Sequence, residues 1–228
     1  MNNSLSPASL MKTVALRIGL GIPILALIII LPAGKWAYWQ GWMYLFILFI
    51  PMFFVFAYLI KNDPALLERR MRMREKESAQ RKIIALSYLY FLGAFILPGL
   101  DVRFGWSNVP PLVSIIADLI VFVGYMIFVW VLKTNSFLSR VVEVDSNQKV
   151  ISSGPYALVR HPMYAGVSIM YIASPVALGS YWALIPAVLI VPLLVARILN
   201  EEQVLLRDLK GYKEYVETTR YRLVPGVW

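Results

Sequence analysis

Apolar residues in this chain come in long runs separated by short polar breaks. The runs cover roughly 14–32, 41–60, 83–100, 111–132, 165–179 and 182–199. A helix of about 20 apolar residues crosses the hydrocarbon core of a bilayer. The pattern therefore predicts an all-α, polytopic membrane bundle of about six segments. The last two runs are at the lower limit of length and meet at Gly179-Ser180, which predicts a short or tilted hairpin. Residues 1–132 form a four-span region, and residues 133–228 form a second region built on the hairpin.

After the sixth run the period changes. Val204, Leu205, Leu209, Tyr212, Tyr215 and Val216 are close to helical spacing, so the tail predicts an amphipathic helix on the cytoplasmic side, broken at Gly211. Pro225 ends regular structure. Lys12 and Arg17 precede the first run, but "IIILPAGKW" offers no small-x-small cleavage site and reads as the end of a retained span.

Composition agrees with this class: 59% of the 228 residues are hydrophobic. The charge of +9 points to an anionic lipid surface rather than nucleic acid, because of where the cations lie. Eight occupy 61–82, four occupy 133–160 and six lie from Arg197 onward. With both termini inside, 20 of the 22 Lys and Arg residues are cytoplasmic, and only Lys35 and Arg103 are outside. The absence of cysteine excludes disulfides, thiolate catalysis and Cys-ligated metal. One histidine excludes a multi-histidine metal centre within the chain, and no carboxylate cluster offers another.

Three polar groups interrupt the apolar pattern. Asp118 lies inside the fourth run, where a carboxylate is costly and takes a partner such as Ser114 one turn earlier, or stays protonated. Arg197 and Glu201 are spaced to share a helical face as an ion pair, with Glu202 turned about 100° away. The third group is "YALVRHPMYAG" at 156–166. If its first residues are helical, Tyr156, Arg160 and Tyr164 share one face and His161 points elsewhere. Pro162 suits a helix start, and Gly166 permits close helix approach. Alone, this group also fits a basic, aromatic collar at the membrane interface.

"SSGPYALVRHPMYAG", followed by "ARILNEEQVLLRDLKGYKEY" and "RYRLVP", resembles the isoprenylcysteine carboxyl methyltransferase family and the wider group of membrane phospholipid methyltransferases. The resemblance covers roughly 148–224. Gln148 stands where eukaryotic members carry a histidine, and the ending is closer to bacterial members, which implies a bacterial inner membrane.

The resemblance implies S-adenosylmethionine as methyl donor, held between the last membrane helices and the C-terminal segment. It implies cofactor contacts from Val150, Gly154, Tyr156, Arg160, His161, Tyr164, Glu202 and Tyr212. Arg197 and Glu201 match the pair placed beside the acceptor and the transferred methyl. The acceptor is lipophilic or small and arrives from the bilayer: by resemblance a carboxylate, with an amine or thiol as alternatives. Arg160 meets the cofactor carboxylate or braces the fold. Rival readings are a membrane reductase using NADPH and a non-enzymatic transporter or scaffold.

Overall fold

The computed structural model describes residues 7–71 and 78–228. Among these the regular structure is helical, without strands. Eight α-helices follow in order: α1 (Pro7–Ala33), α2 (Trp39–Asn62), α3 (Pro64–Met71), α4 (Ser78–Phe104), α5 (Pro111–Thr134), α6 (Pro162–Ala177), α7 (Leu184–Asp208) and α8 (Tyr212–Thr218). Five of them, α1, α2, α4, α5 and α7, are long and apolar enough to cross a membrane.

The fifth apolar run becomes α6, which has 16 residues. At 1.5 Å per residue it rises about 24 Å, short of a hydrocarbon core of about 30 Å. At its far end Leu178 O accepts a hydrogen bond from Tyr38 Oη, and Ser180 Oγ donates to Asp101 at the end of α4. The sixth run is not short. It forms the 25-residue α7, which continues through Asn200, Glu201, Glu202 and Gln203. The first three of these polar residues lie against protein groups: Asn200 Oδ1 accepts from Gln80 Nε2, Glu201 from Tyr164, and Glu202 from Arg160 and Arg222. The predicted amphipathic helix is thus the last turns of α7, a break at Gly211 (φ 86°), and α8.

The charged stretch at 61–82 holds a helix that its composition hides. Asp63 Oδ1 caps it by accepting from Leu66 N at 2.9 Å, and Pro64 occupies the first helical position. Leu66 and Leu67 are buried against Leu10, Val14, Leu59 and Leu132. The remainder of that stretch at 72–77, including the basic residues Arg72, Arg74 and Lys76, lies outside the described residues.

α5 and α6 form the densest helix pair. A Cβ at Gly124 would come within 2.7 Å of Gly166 O, and one at Gly166 within 2.8 Å of Gly124 O. The two backbones therefore touch, and the start of α6 is fixed against α5. Ser114 Oγ donates to Val176 O rather than to Asp118. Asp118 is fully buried, and neither of its oxygens has a hydrogen-bond partner among the described residues.

The tail folds back onto the turn before α6. Arg160 N donates to Tyr221 O and His161 N to Arg222 O, both at 2.9 Å. Beneath this pairing Glu202, 5% exposed, is held from two sides. Arg160 Nε donates to its Oε1 at 2.6 Å and Arg222 Nε to its Oε2 at 2.7 Å. Arg160 Nη1 also donates to Thr219 O and Arg220 O. One carboxylate thus ties α7, the entry to α6 and the tail.

Two outcomes follow for thermal unfolding in detergent. Gly166→Ala must part α5 from α6 and lowers the midpoint, whereas Gly19→Ala, with nothing within 4 Å of the new Cβ, leaves it unchanged. Equal midpoints would disprove the close contact. Glu202→Ala leaves the buried Arg160 without its carboxylate, a loss of about 3–5 kcal/mol, and Glu202→Gln loses less. A midpoint unmoved by Glu202→Ala would show that the clasp does not hold the tail.

Candidate functional site

The site lies at the end of the bundle where α5 and α7 finish and α6 begins. Pro162 opens α6 as its first helical residue, with His161 as N-cap. The preceding turn is not a continuation of that helix. Gly154–Ala157 is a short 3-10 turn, entered through Gly154 at φ 58°. Arg160 and His161 then pair with the tail. Tyr156, Arg160 and Tyr164 therefore do not share a helical face, as expected from spacing, yet all three reach one cavity.

That cavity encloses about 90 Å³. Val150, Tyr156, Arg160, His161, Tyr164, Arg197, Glu201 and Tyr212 all line it. Gly154 and Glu202 are not among the lining residues. Gly154 packs against Thr134 and Trp130, and the Glu202 oxygens are taken up by Arg160 and Arg222. Arg160 spends two of its nitrogens on the clasp and the tail carbonyls, so bracing the fold is its first role.

His161 differs. Its Nε2 lies 3.4 Å from Glu202 Oε1 without hydrogen-bond geometry. Tyr212 Oη is likewise buried without a partner. Tyr212 Oη thus has no hydrogen-bond partner among the described residues, and His161 Nε2 has only the long contact to Glu202, which is an arrangement a polar ligand completes. Burial, reinforced by the nearby Glu202 and Glu201 carboxylates, raises the Tyr212 hydroxyl pKa, so it is a donor and not a phenolate at neutral pH.

Arg197 and Glu201 meet through a third residue. The Tyr164 hydroxyl donates to Glu201 Oε2 at 2.7 Å and accepts from Arg197 Nε at 2.8 Å. Arg197 Nη2 also donates to Arg140 O at 3.0 Å. The Arg197 guanidinium is therefore fixed in direction rather than swinging at a membrane boundary.

A second cavity, of about 380 Å³, lies between α4, α5, α6 and α7. Phe91, Phe128, Val167, Ile190 and Leu194 give it an apolar body. Arg140, Val141, Met163, Tyr164 and Arg197 line both cavities.

Sequence reasoning missed much of the first cavity's outer wall. Residues 137–143 contribute to it, as does Asn135, whose side-chain amide donates to Tyr156 Oη. The polar stretch at 133–155 gave no periodic signal to find them by. Arg222 was present in the quoted "RYRLVP", but its carboxylate partner lies 20 positions earlier in the chain. Among the described residues no group of three or more His, Cys, Asp or Glu residues is placed to hold a metal.

Residues 112–211 match the family model described as phospholipid methyltransferase. The matched stretch runs from α5 through α7 to the break at Gly211, and so contains Tyr156, His161, Tyr164, Arg197 and Glu201. No curated protein matches the chain. The match supports the wider group of membrane methyltransferases, and the chain is accordingly an S-adenosylmethionine-dependent methyltransferase.

Proposed function

We propose that the chain transfers a methyl group to the carboxylate of a lipophilic acceptor, at the cytoplasmic face of a bacterial inner membrane. The observation that supports this most is the sharing of Tyr164 and Arg197 between a polar cavity and an apolar one. A cofactor in the first and a lipid tail in the second bring their reacting ends to the same two side chains.

S-adenosylmethionine, when bound, supplies an electrophilic methyl group on a sulfonium. The residues of the polar cavity fit it: His161 and Tyr212 offer polar atoms without a hydrogen bond among the described residues, and tyrosine faces suit a cation. Val150, Tyr156 and Tyr164 complete the wall. Gly154 and Glu202 serve indirectly, one by shaping the turn and the other by holding Arg160 and Arg222. The cavity of about 90 Å³ is smaller than the roughly 300–1,000 Å³ usual for small-molecule sites, so binding displaces part of the 137–143 wall.

A carboxylate acceptor is already nucleophilic at neutral pH and gives up no proton, so the site needs no strong base. It needs orientation and exclusion of water. Arg197 holds the acceptor carboxylate. Glu201 and the Tyr164 hydroxyl fix the guanidinium that does so. The second reading, an amine acceptor as in a phospholipid headgroup, draws on the description of the matched family. In that case Glu201 is the candidate base, and the cationic neighbours of the acceptor oppose rather than assist binding.

Methyl-labelled S-adenosylmethionine offered with palmitate, an S-prenylcysteine or phosphatidylethanolamine separates the two. Ester label is released as methanol by mild alkali, whereas N-methyl label is not. Alkali-stable label found only in phosphatidylethanolamine would sink the carboxylate reading. Arg197→Ala lowers turnover about a hundredfold, with cofactor affinity largely kept. Loss of cofactor affinity with a normal rate at saturation would place Arg197 in the wrong role.

A further inference from the structure

Arg70 is the last but one residue of α3, well before the stretch that matches the family model. The helix is fixed in place. Leu66 and Leu67 are sunk between α1, α2 and α5, and Arg17 Nη1 donates to Met71 O at its end. Its two arginines then part company. Arg69 donates to Asp145 Oδ2 at 2.7 Å and to Ser136 O at 2.9 Å, holding the 136–145 segment from outside. Arg70 instead reaches the apolar cavity and lines it together with Arg140 and Arg197.

Its surroundings there are poor in acceptors. The guanidinium lies over the Phe128 ring, 5.3 Å from its centroid. Nη1 donates to Ser139 O at 3.2 Å and touches Met163 Sδ at 3.7 Å. An arginine has five N–H donors. Those on Nε and Nη2 have no acceptor among the described residues. Burial is the main cause that lowers the Arg70 pKa to about 10, and Arg140 and Arg197 act in the same direction. It remains charged at neutral pH, so the head of the cavity gathers three guanidinium groups against an apolar body. No Asp or Glu is found among the described residues that line this cavity.

We propose that Arg70 is a specificity-determining residue: it binds the anionic head of the acceptor beside Arg197, so the apolar cavity admits lipophilic acids and refuses lipids with cationic heads. The inference rests on the reading of the apolar cavity as the acceptor site. It adds α3 to a site whose apolar wall is built from α4, α5, α6 and α7. A planar fork whose Nε and Nη2 have no acceptor among the described residues matches a carboxylate in two places, which a lysine cannot do. The neutral-tail part of the acceptor meets Phe91, Phe128 and Leu194.

The test measures binding, and so does not require palmitate to be turned over. The full chain in detergent is labelled with a photoactivatable palmitate, in competition with palmitate, hexadecanol and hexadecylamine. Palmitate competes best and hexadecylamine worst on the wild type. Arg70→Gln weakens palmitate about ten- to a hundredfold and abolishes its advantage over hexadecanol, while affinity for S-adenosylmethionine is unchanged. Arg70→Lys keeps charge without the fork and falls between the two. A wild type without acid preference overturns the proposal, and so does Arg70→Gln with its preference intact. Should Arg70→Gln fail to fold, Arg70→Lys and the wild type decide: identical preference, with label mapped away from 64–71 and 136–141, refutes the role of Arg70. The methanol-release assay reports separately on the carboxylate reaction, so failure of one reading is not mistaken for failure of the other.

Discussion

The site depends on one buried carboxylate. Glu202 sits near the end of α7 and accepts from Arg160 on one side and Arg222 on the other. Through Arg160 it fixes the turn that feeds α6, and through Arg222 it fixes the tail that pairs with that turn. A charge removed from water in this way is costly unless each of its lone pairs is met. Here one guanidinium meets each carboxylate oxygen, and four tail carbonyls accept from Arg160 and from the backbone of the turn. The consequence is positional. His161 and Tyr164 flank the clasp, so their side chains are held toward the cavities by residues that need not touch a ligand.

A second constraint sets the depth of the site. α5 and α6 meet backbone to backbone at Gly124 and Gly166, two residues beyond Tyr164. Gly124 lies ten residues before the end of α5 and Gly166 four residues after the start of α6, so α6 begins short of the end of α5. The recess this leaves is filled by the 135–151 segment and by α8, and the polar cavity is what remains between them. The same recess opens toward the apolar cavity, because Tyr164 and Arg197 stand at the boundary of both. Under the proposed function, a water-soluble cofactor and a bilayer-borne acceptor meet there without either leaving its own medium.

Much of this was legible in the sequence, and the reasons for the gaps are physical. Hydrophobic runs of full length became helices α1, α2, α4 and α5, with α2 and α5 at nearly the expected bounds and α1 and α4 starting several residues earlier, because burial in lipid leaves the backbone no other option. Pro162 and Gly166 marked the start and the contact face of α6 through local rules. α3 was hidden because its signal, Asp63-Pro64 before two leucines, is brief and sits in a charged stretch. α7 outran its apolar run because its polar residues found protein partners, which no local period reports. Arg197 and Glu201 were spaced as an ion pair, and the hydroxyl between them comes from another helix. The assignments of Glu202 and Arg160 to one clasp needed the tail in place, 20 and 62 positions downstream of them at Arg222.

The central claim is that the polar cavity beside the clasp holds S-adenosylmethionine. Calorimetric titration of the purified, folded chain tests it most directly, with NADPH as the comparison ligand. The account predicts saturable heat with S-adenosylmethionine and none with NADPH. A folded sample that gives no heat with S-adenosylmethionine, or that saturates with NADPH instead, would contradict it.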